Sequence, residues 1–460
     1  MTAPTPPGRF RPAYAWYVVG VLTLAYVSSF VDRQILALMV GPIRSDLDIS
    51  DTAMSLLMGP SFAVFYAVLG FPIGRLADRV SRRGIIAWGI AVWSVMTALC
   101  GAARSYWQLF LARVGVGVGE AALSPPAYSL IADYFPKDRL GTAIGVYSLG
   151  IYLGSGIALM LGGWIVGKVS AAGAWSLPLV GQVRAWQAVF IAIGIPGLLI
   201  ALLARTIREP ARGAMGGATS AGQLPLGAVA AYVRQHAGAF LGHNLGFAFI
   251  AMVNYGWAFW VPTFLIRNHG WTPQHAGLIY GLWTATFGVA GVVVGGYLGD
   301  VIARRGYADA KLRIGLIGVA GELASGFLFL FAPTGGMELA LIPSTFFASF
   351  GFGAAAAAIQ EVTPVPMRAQ VSALYLFTVN LVGLGIGSTF VAALTDYVFK
   401  SDAAIRESLL VVTVVGLVLA ALVFLLALSP FRRAAAAAQT WRPDAALATP
   451  SVAERSLGTS

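Results

Sequence analysis

The 460-residue sequence predicts an all-α membrane protein with twelve transmembrane helices in two six-helix bundles. Three observations carry this expectation. Hydrophobic residues make up 58% of the chain and charged residues 11%, against about 45–50% and about 25% in soluble domains. Twelve apolar runs divide six and six around a polar stretch. A charged loop motif recurs in both halves at a constant offset. The composition excludes a soluble enzyme, a disordered chain and a disulfide scaffold, and the lone Cys100 allows no internal disulfide.

The runs lie near residues 14–40, 51–71, 84–103, 106–132, 139–168, 184–204, 236–266, 274–299, 312–332, 338–360, 368–398 and 404–429. A hydrocarbon core of about 30 Å takes about 20 helical residues to cross, so each run suffices for one span. The expected units are an N-terminal bundle over 14–204, a cytoplasmic linker over 205–235, a C-terminal bundle over 236–430 and a tail over 431–460. The linker is polar and glycine-rich, with a short amphipathic piece around Tyr232 and Arg234. The tail is alanine-rich and then polar, and is expected to be disordered. No short apolar stretch with a small-residue cleavage site opens the chain, so a removable signal peptide is not expected.

Basic residues set the orientation. With the N-terminus cytoplasmic, cytoplasmic segments hold 21 Lys and Arg, outer segments seven, and two (Arg33 and Arg113) remain inside spans. Both termini are therefore expected in the cytoplasm. The bias also accounts for the net charge of +11 without nucleic acid as a partner.

The repeat supports a duplicated architecture. Gly74, Asp78, Arg82, Arg83 and Gly84 follow the second run, and Gly296, Asp300, Arg304, Arg305 and Gly306 follow the eighth, each offset by 222 residues. Asp133 and Pro136 end the fourth run as Glu361 and Pro364 end the tenth. A carboxylate at the end of a span suits the positive N-terminus of a neighbouring helix. Asp78 is thus expected near the start of the eleventh helix, around Arg368, with Arg79 or Arg82 pairing with Asp133. Asp300, Arg304 and Glu361 form the second copy. Gly74 belongs to the same cytoplasmic gate.

Ionisable groups inside spans cost several kcal/mol and mark function by default. They are Asp32, Arg33, Arg113, Glu120 and Glu322. At about 1.5 Å per residue, Asp32 lies roughly 12 Å and Arg113 roughly 10 Å below the outer ends of their spans. Glu120 shares a helix face with Arg113 and lies near the bilayer middle. Two acids and two bases can therefore share one network, with Glu120 and then Asp32 as proton carriers and Arg33 and Arg113 modulating them or gripping an anion. Glu322 is expected to be structural. Tyr66, Tyr147, Tyr152, Asn254, Tyr255, Trp257, Tyr375, Thr378 and Asn380 offer a cavity wall with polar tips and apolar bodies, suited to an amphipathic ligand. The four histidines show no metal-ligand spacing, no phosphate-binding loop points to ATP, and no nucleophile–base set points to an enzyme or a cofactor.

The Gly74–Gly84 segment resembles the signature loop of the major facilitator superfamily, over roughly 14–430 of the chain. Arg113 followed by Gly115, Gly117 and Gly119 resembles a second facilitator signature, associated with proton coupling. Val31-Asp32-Arg33, the Gly117–Ala121 stretch, Gln360-Glu361, Pro364, Arg368 and Ser372–Tyr375 together resemble the spinster subfamily. That resemblance implies alternating access in a proton-coupled transporter of lysolipids or sphingoid phosphates, with acid–base pairs at Asp32 with Arg33 and at Arg113 with Glu120. The fifth run lacks the Gly-Pro common in drug/proton antiporters, so direction stays open. The expected protein is a monomer in a bacterial inner membrane, with protons and an amphipathic, anionic small molecule as partners. Two rivals stay open: a proton symporter for small organic or sugar acids, and a sensor that binds without transporting.

Overall fold

The computed structural model describes residues 12–77, 79–172, 175–177, 181–210 and 225–442. Among these, eleven helices are long and apolar enough to cross a membrane. They are Pro12–Leu38, Asp51–Gly70, Arg82–Cys100, Arg139–Lys168, Ala185–Ala204, Ala237–His269, Pro273–Arg304, Ala310–Leu330, Thr334–Glu361, Gln370–Phe399 and Asp402–Thr440. The fourth crossing is made of two shorter helices, Tyr106–Glu120 and Ser124–Tyr134, so the expected unbroken run is interrupted. Its second piece opens on Pro125 and Pro126, which donate no backbone hydrogen bond and are tolerated only in a helix's first turn. Glu120 is the last residue before the break.

The twelve spans form the expected two bundles of six. Within the first half, span 1 packs on spans 5 and 6, and span 3 on spans 4 and 6. Within the second, span 7 packs along span 12 and span 9 on spans 10 and 12. The halves meet chiefly where span 5 lies on span 8 and span 2 on span 11. A two-stranded hairpin, Trp175–Leu177 with Gly181–Val183, joins spans 5 and 6.

Glycines set these two seams. A Cβ on Gly156 would lie 2.6 Å from the Gly281 carbonyl oxygen, and one on Gly281 would lie 2.6 Å from that of Gly156. Only bare backbones can approach so closely. On the other seam Gly59 lies against the Leu384 carbonyl and the Ser388 hydroxyl. Spans 8 and 11 carry π-helical turns beside these contacts, at Thr284–Gly288 and Asn380–Leu384. Such turns often mark functional sites.

One expectation about the connections changes, that for the tail. The linker contains a helix, Leu226–Gln235, whose Tyr232 hydroxyl donates to the Val362 carbonyl at 3.2 Å. The tail, expected to be disordered from residue 431, is helical as far as Thr440. Alanine is the strongest helix former, and Phe431, Ala434 and Ala435 are buried on the bundle. Residues 211–224 of the linker and 443–460 of the tail lie outside the described residues.

Candidate functional site

Asp32, Arg33, Arg113 and Glu120 are all buried and do come together, where span 1 passes span 4. Arg33 Nε donates to Glu120 Oε2 at 2.6 Å. The Ser29 hydroxyl donates to the same oxygen. Ser29 stands one helical turn before Arg33 and so shares its face. The Arg33 guanidinium lies over three rings, 4.8 Å from Phe30, 4.4 Å from Phe62 and 4.8 Å from Tyr66. Tyr255 of the seventh span reaches it from the other half.

Arg113 is held differently. Its Nη1 donates to the backbone oxygen of Asp32 at 3.2 Å and its Nε to that of Leu57 at 3.3 Å. The contact agrees with the similar depths expected for residues 32 and 113. The pairing does not follow the expected one, because Arg33, not Arg113, takes Glu120. Rotation of span 1 about its axis decides this. It turns the Arg33 side chain toward span 4 and leaves Arg113 with carbonyl groups. Asp32 Oδ1, Glu120 Oε1 and Arg113 Nη2 have no hydrogen-bond partner among the described residues. The network therefore holds unused donors and acceptors, and can re-pair without first breaking every bond.

The expected cavity wall is only partly assembled. Tyr66 and Tyr255 face Arg33, and Tyr152 stands at the seam with span 8, its ring 6.4 Å from that of Phe352. Trp257 does not line a cavity. Its indole NH donates to the Thr413 hydroxyl at 2.7 Å inside the second bundle. Asn254 likewise turns inward and donates to the Ala348 carbonyl at 2.7 Å. Residues 254 and 257 share a helix face and 255 lies about 100° away, so three near-consecutive residues cannot form one wall. Tyr147 is fully buried and stacks on Tyr26 at 4.5 Å. Tyr375 is buried against His243, 4.9 Å between rings. Thr378 and Asn380 return their hydrogen bonds to their own helix, at Leu374 and Leu376.

The repeated loops lie on the face that carries the termini. Arg82, not Arg79, reaches Asp133, at 2.5 Å. It also binds Glu209 at 2.8 Å and the Ser129 hydroxyl at 2.8 Å. Arg79 is exposed, and Gly74 makes ordinary contact with Pro125. Burial works to raise the Glu209 carboxyl, but Arg82, the Arg83 NH and the Ser81 hydroxyl hold it below the ordinary range. In the second copy Asp300 pairs with Lys311 in place of the expected Arg304, which is exposed. Lys311 opens span 9 beside Gly299, where its stem finds room. Glu361 lies near both Lys311 and Asp300. Arg368 binds the nearby Thr363 carbonyl at 3.1 Å. Asp78 lies outside the described residues. None of the ion pairs described on this face joins the first bundle to the second.

On the opposite face the halves are clasped together. Arg267 of span 7 grips Asp51 of span 2 with two bonds, 2.6 and 2.8 Å. Arg44 lies 3.1 Å from the same Asp51 and 2.7 Å from Asp402 at the start of span 12. The Thr52 NH donates to Asp396 at 2.7 Å. Nothing in the sequence spacing of residues 51, 267 and 402 brings them together.

Two helical bundles, clasped at one face around buried charges, are the architecture of a membrane transporter rather than an enzyme. Residues 22–388 match the Major Facilitator Superfamily, and the chain belongs to that family. It is 31% identical over 436 residues to an MFS-type efflux pump of Mycolicibacterium smegmatis, covering 92% of this chain and 95% of that one. It is 32% identical over 334 residues to protein spinster homolog 1 of Bos taurus, covering 68% of this chain and 59% of the relative. The crystal structure of a bacterial homolog to the human lysosomal transporter spinster, inward-facing and unoccupied, is similar at a TM-score of 0.74 and 28% identity, covering 94% of this chain and all of that one.

Proposed function

We propose that this chain is a proton-coupled secondary transporter that moves a lysolipid or a similar amphipathic anion by alternating access. It would act as a monomer in a bacterial inner membrane with both termini cytoplasmic. The observation that carries the reading is the buried Arg33–Glu120 pair, ringed by Phe30, Phe62 and Tyr66 and faced by Tyr255 of the other half. A proton on Glu120 cancels the charge that holds Arg33. The freed guanidinium can then take a phosphate or carboxylate head, while the aromatic rings accept the apolar body. Proton and anion thus load together, since each relieves the charge left by the other. Asp32 is the second proton carrier and Arg113 steadies it through its backbone. The repeated loops at Gly74–Gly84 and Gly296–Gly306 close the cytoplasmic face in the alternate conformation, with Asp78 near Arg368.

The test is internal pH in proteoliposomes while lysolipids, sphingoid phosphates, sugar acids and aromatic acids are added in turn. Lysolipid should move protons with the wild-type protein and not with Glu120→Gln. Equal proton movement in both would remove Glu120 from the mechanism. A response to sugar acids alone would favour the small-acid symporter. Export is a second reading, favoured by the efflux pump that matches nearly the whole chain. Opposite movement of protons and ligand would establish it.

A further inference from the structure

We infer that Glu322 is a second proton-binding site of this transporter, placed in its C-terminal half and exchanging its proton with water. The inference rests on the proton coupling proposed above and adds a site to it. Glu322 lies within span 9, Ala310–Leu330, and is 4% exposed. At about 1.5 Å per residue it stands roughly 12 Å from one end of that helix and roughly 18 Å from the other, near the middle of the bilayer.

Its surroundings supply no counter-charge. Among the described residues, no ion pair and no hydrogen bond reaches its carboxyl group. Two hydroxyls close by in the fold, Ser325 on the same helix and Ser344 of span 10, are committed to backbone. Ser325 donates to the Glu322 carbonyl at 3.3 Å, and Ser344 donates to the Ser325 carbonyl at 2.9 Å. Spans 7, 8, 10 and 12 pack on span 9, and no charged group on any of them acts on Glu322. The titratable groups that sense it are two phenols, Tyr280 of span 8 and Tyr152 of span 5. An unpaired carboxylate in hydrocarbon costs several kcal/mol, so the resting form is the neutral acid.

The position suggests how that proton moves. Tyr152 belongs to the first half and Tyr280 to the second, and span 8, on which Glu322's helix packs, is the element that meets the first half at the seam. The Tyr152 ring rests on Gly288, where a Cβ would meet it at 2.8 Å, inside the π-helical turn of span 8. Tyr152 also senses Tyr255, which reaches Arg33. When span 5 slides on span 8, the acid meets water on the newly opened side. The Glu322 O–H bond breaks, the proton passes to that water, and the carboxylate takes a proton from the other side on return.

The test uses the full-length protein in liposomes without added substrate. Infrared absorption of protonated carboxyl groups is compared between wild type and Glu322→Gln across mildly acidic to alkaline pH. The expected result is one carboxyl band, lost in Glu322→Gln, whose amplitude titrates with pH. No difference band would mean that Glu322 holds no proton. A band that stays constant at every pH would mean a sealed structural acid. Either result overturns the inference. Should Glu322→Gln fail to assemble, Glu322→Asp must shift the band instead of removing it. Proton flux is then read on the same preparations after lysolipid is added. Wild-type flux with an unchanged infrared band defeats this site alone, whereas absence of wild-type flux defeats the coupling reading.

Discussion

Arg33 combines a charge-assisted bond with a ring of aromatic faces, and only a guanidinium fits both. Arg33→Lys keeps the charge but loses the planar contact with Phe62 and the directed bond to Glu120. Transport should fall at least about tenfold, equivalent to about 1.4 kcal/mol, while the protein still assembles in the membrane. Asp51 makes the complementary prediction. Removing one member of a buried ion pair costs about 3–5 kcal/mol. Asp51→Asn should therefore loosen the clasp with Arg44 and Arg267. Spin labels at the exposed Ser45 and Ser401, in a Cys100→Ser background, should show a longer-distance population. An unchanged distance distribution would mean that the clasp does not hold this face shut. Asp32, Arg33, Arg113 and Glu120 were legible because charge in an apolar run is conspicuous. Their pairing was not, because it depends on how each helix is turned about its axis. Ser29 was missed because a serine in a span carries no comparable signal.

Helices meet across the halves where side chains are missing. Gly156→Leu places a side chain against the Gly281 carbonyl and should prise spans 5 and 8 apart. Transport should be lost, and the Ser45–Ser401 distance should lengthen. Gly20 is the control, since a Cβ there meets nothing within 4 Å. Gly20→Ala should be neutral or stabilising by about 0.5–1 kcal/mol. Retained transport in Gly156→Leu would show that the seam tolerates separation. The number and order of spans were legible from run length alone. The break after Glu120 was not, because the prolines at 125 and 126 lie within an otherwise apolar stretch. The helix through Thr440 was missed because its alanines bury only against the folded bundle.

At the scale of the whole molecule the two faces differ in how their charges are used. The face opposite the termini ties the halves together through Asp51, Arg44, Arg267 and Asp402, whereas the terminal face ties each half to itself. Its Arg82–Asp133–Glu209 cluster carries a pH dependence of known sign. Glu209 is held below its ordinary value of 4.5, so its contribution is complete above that pH and fades as pH falls through the lower folded value. Thermal stability should drop on acidification through that range, and Glu209→Gln should remove part of the drop. An identical pH profile in wild type and Glu209→Gln would exclude Glu209 as a source.

The sequence alone determined that this is a duplicated twelve-span membrane protein with a charged core, because bilayer thickness and the cost of burying charge act on composition and spacing. It could also nominate the buried acids and bases one by one. Tertiary structure decided which of them pair, which aromatic side chains face Arg33, and that residues far apart in the chain clasp one face. Those features depend on helix rotation and on contacts between distant segments, and local sequence encodes neither until the two bundles have packed.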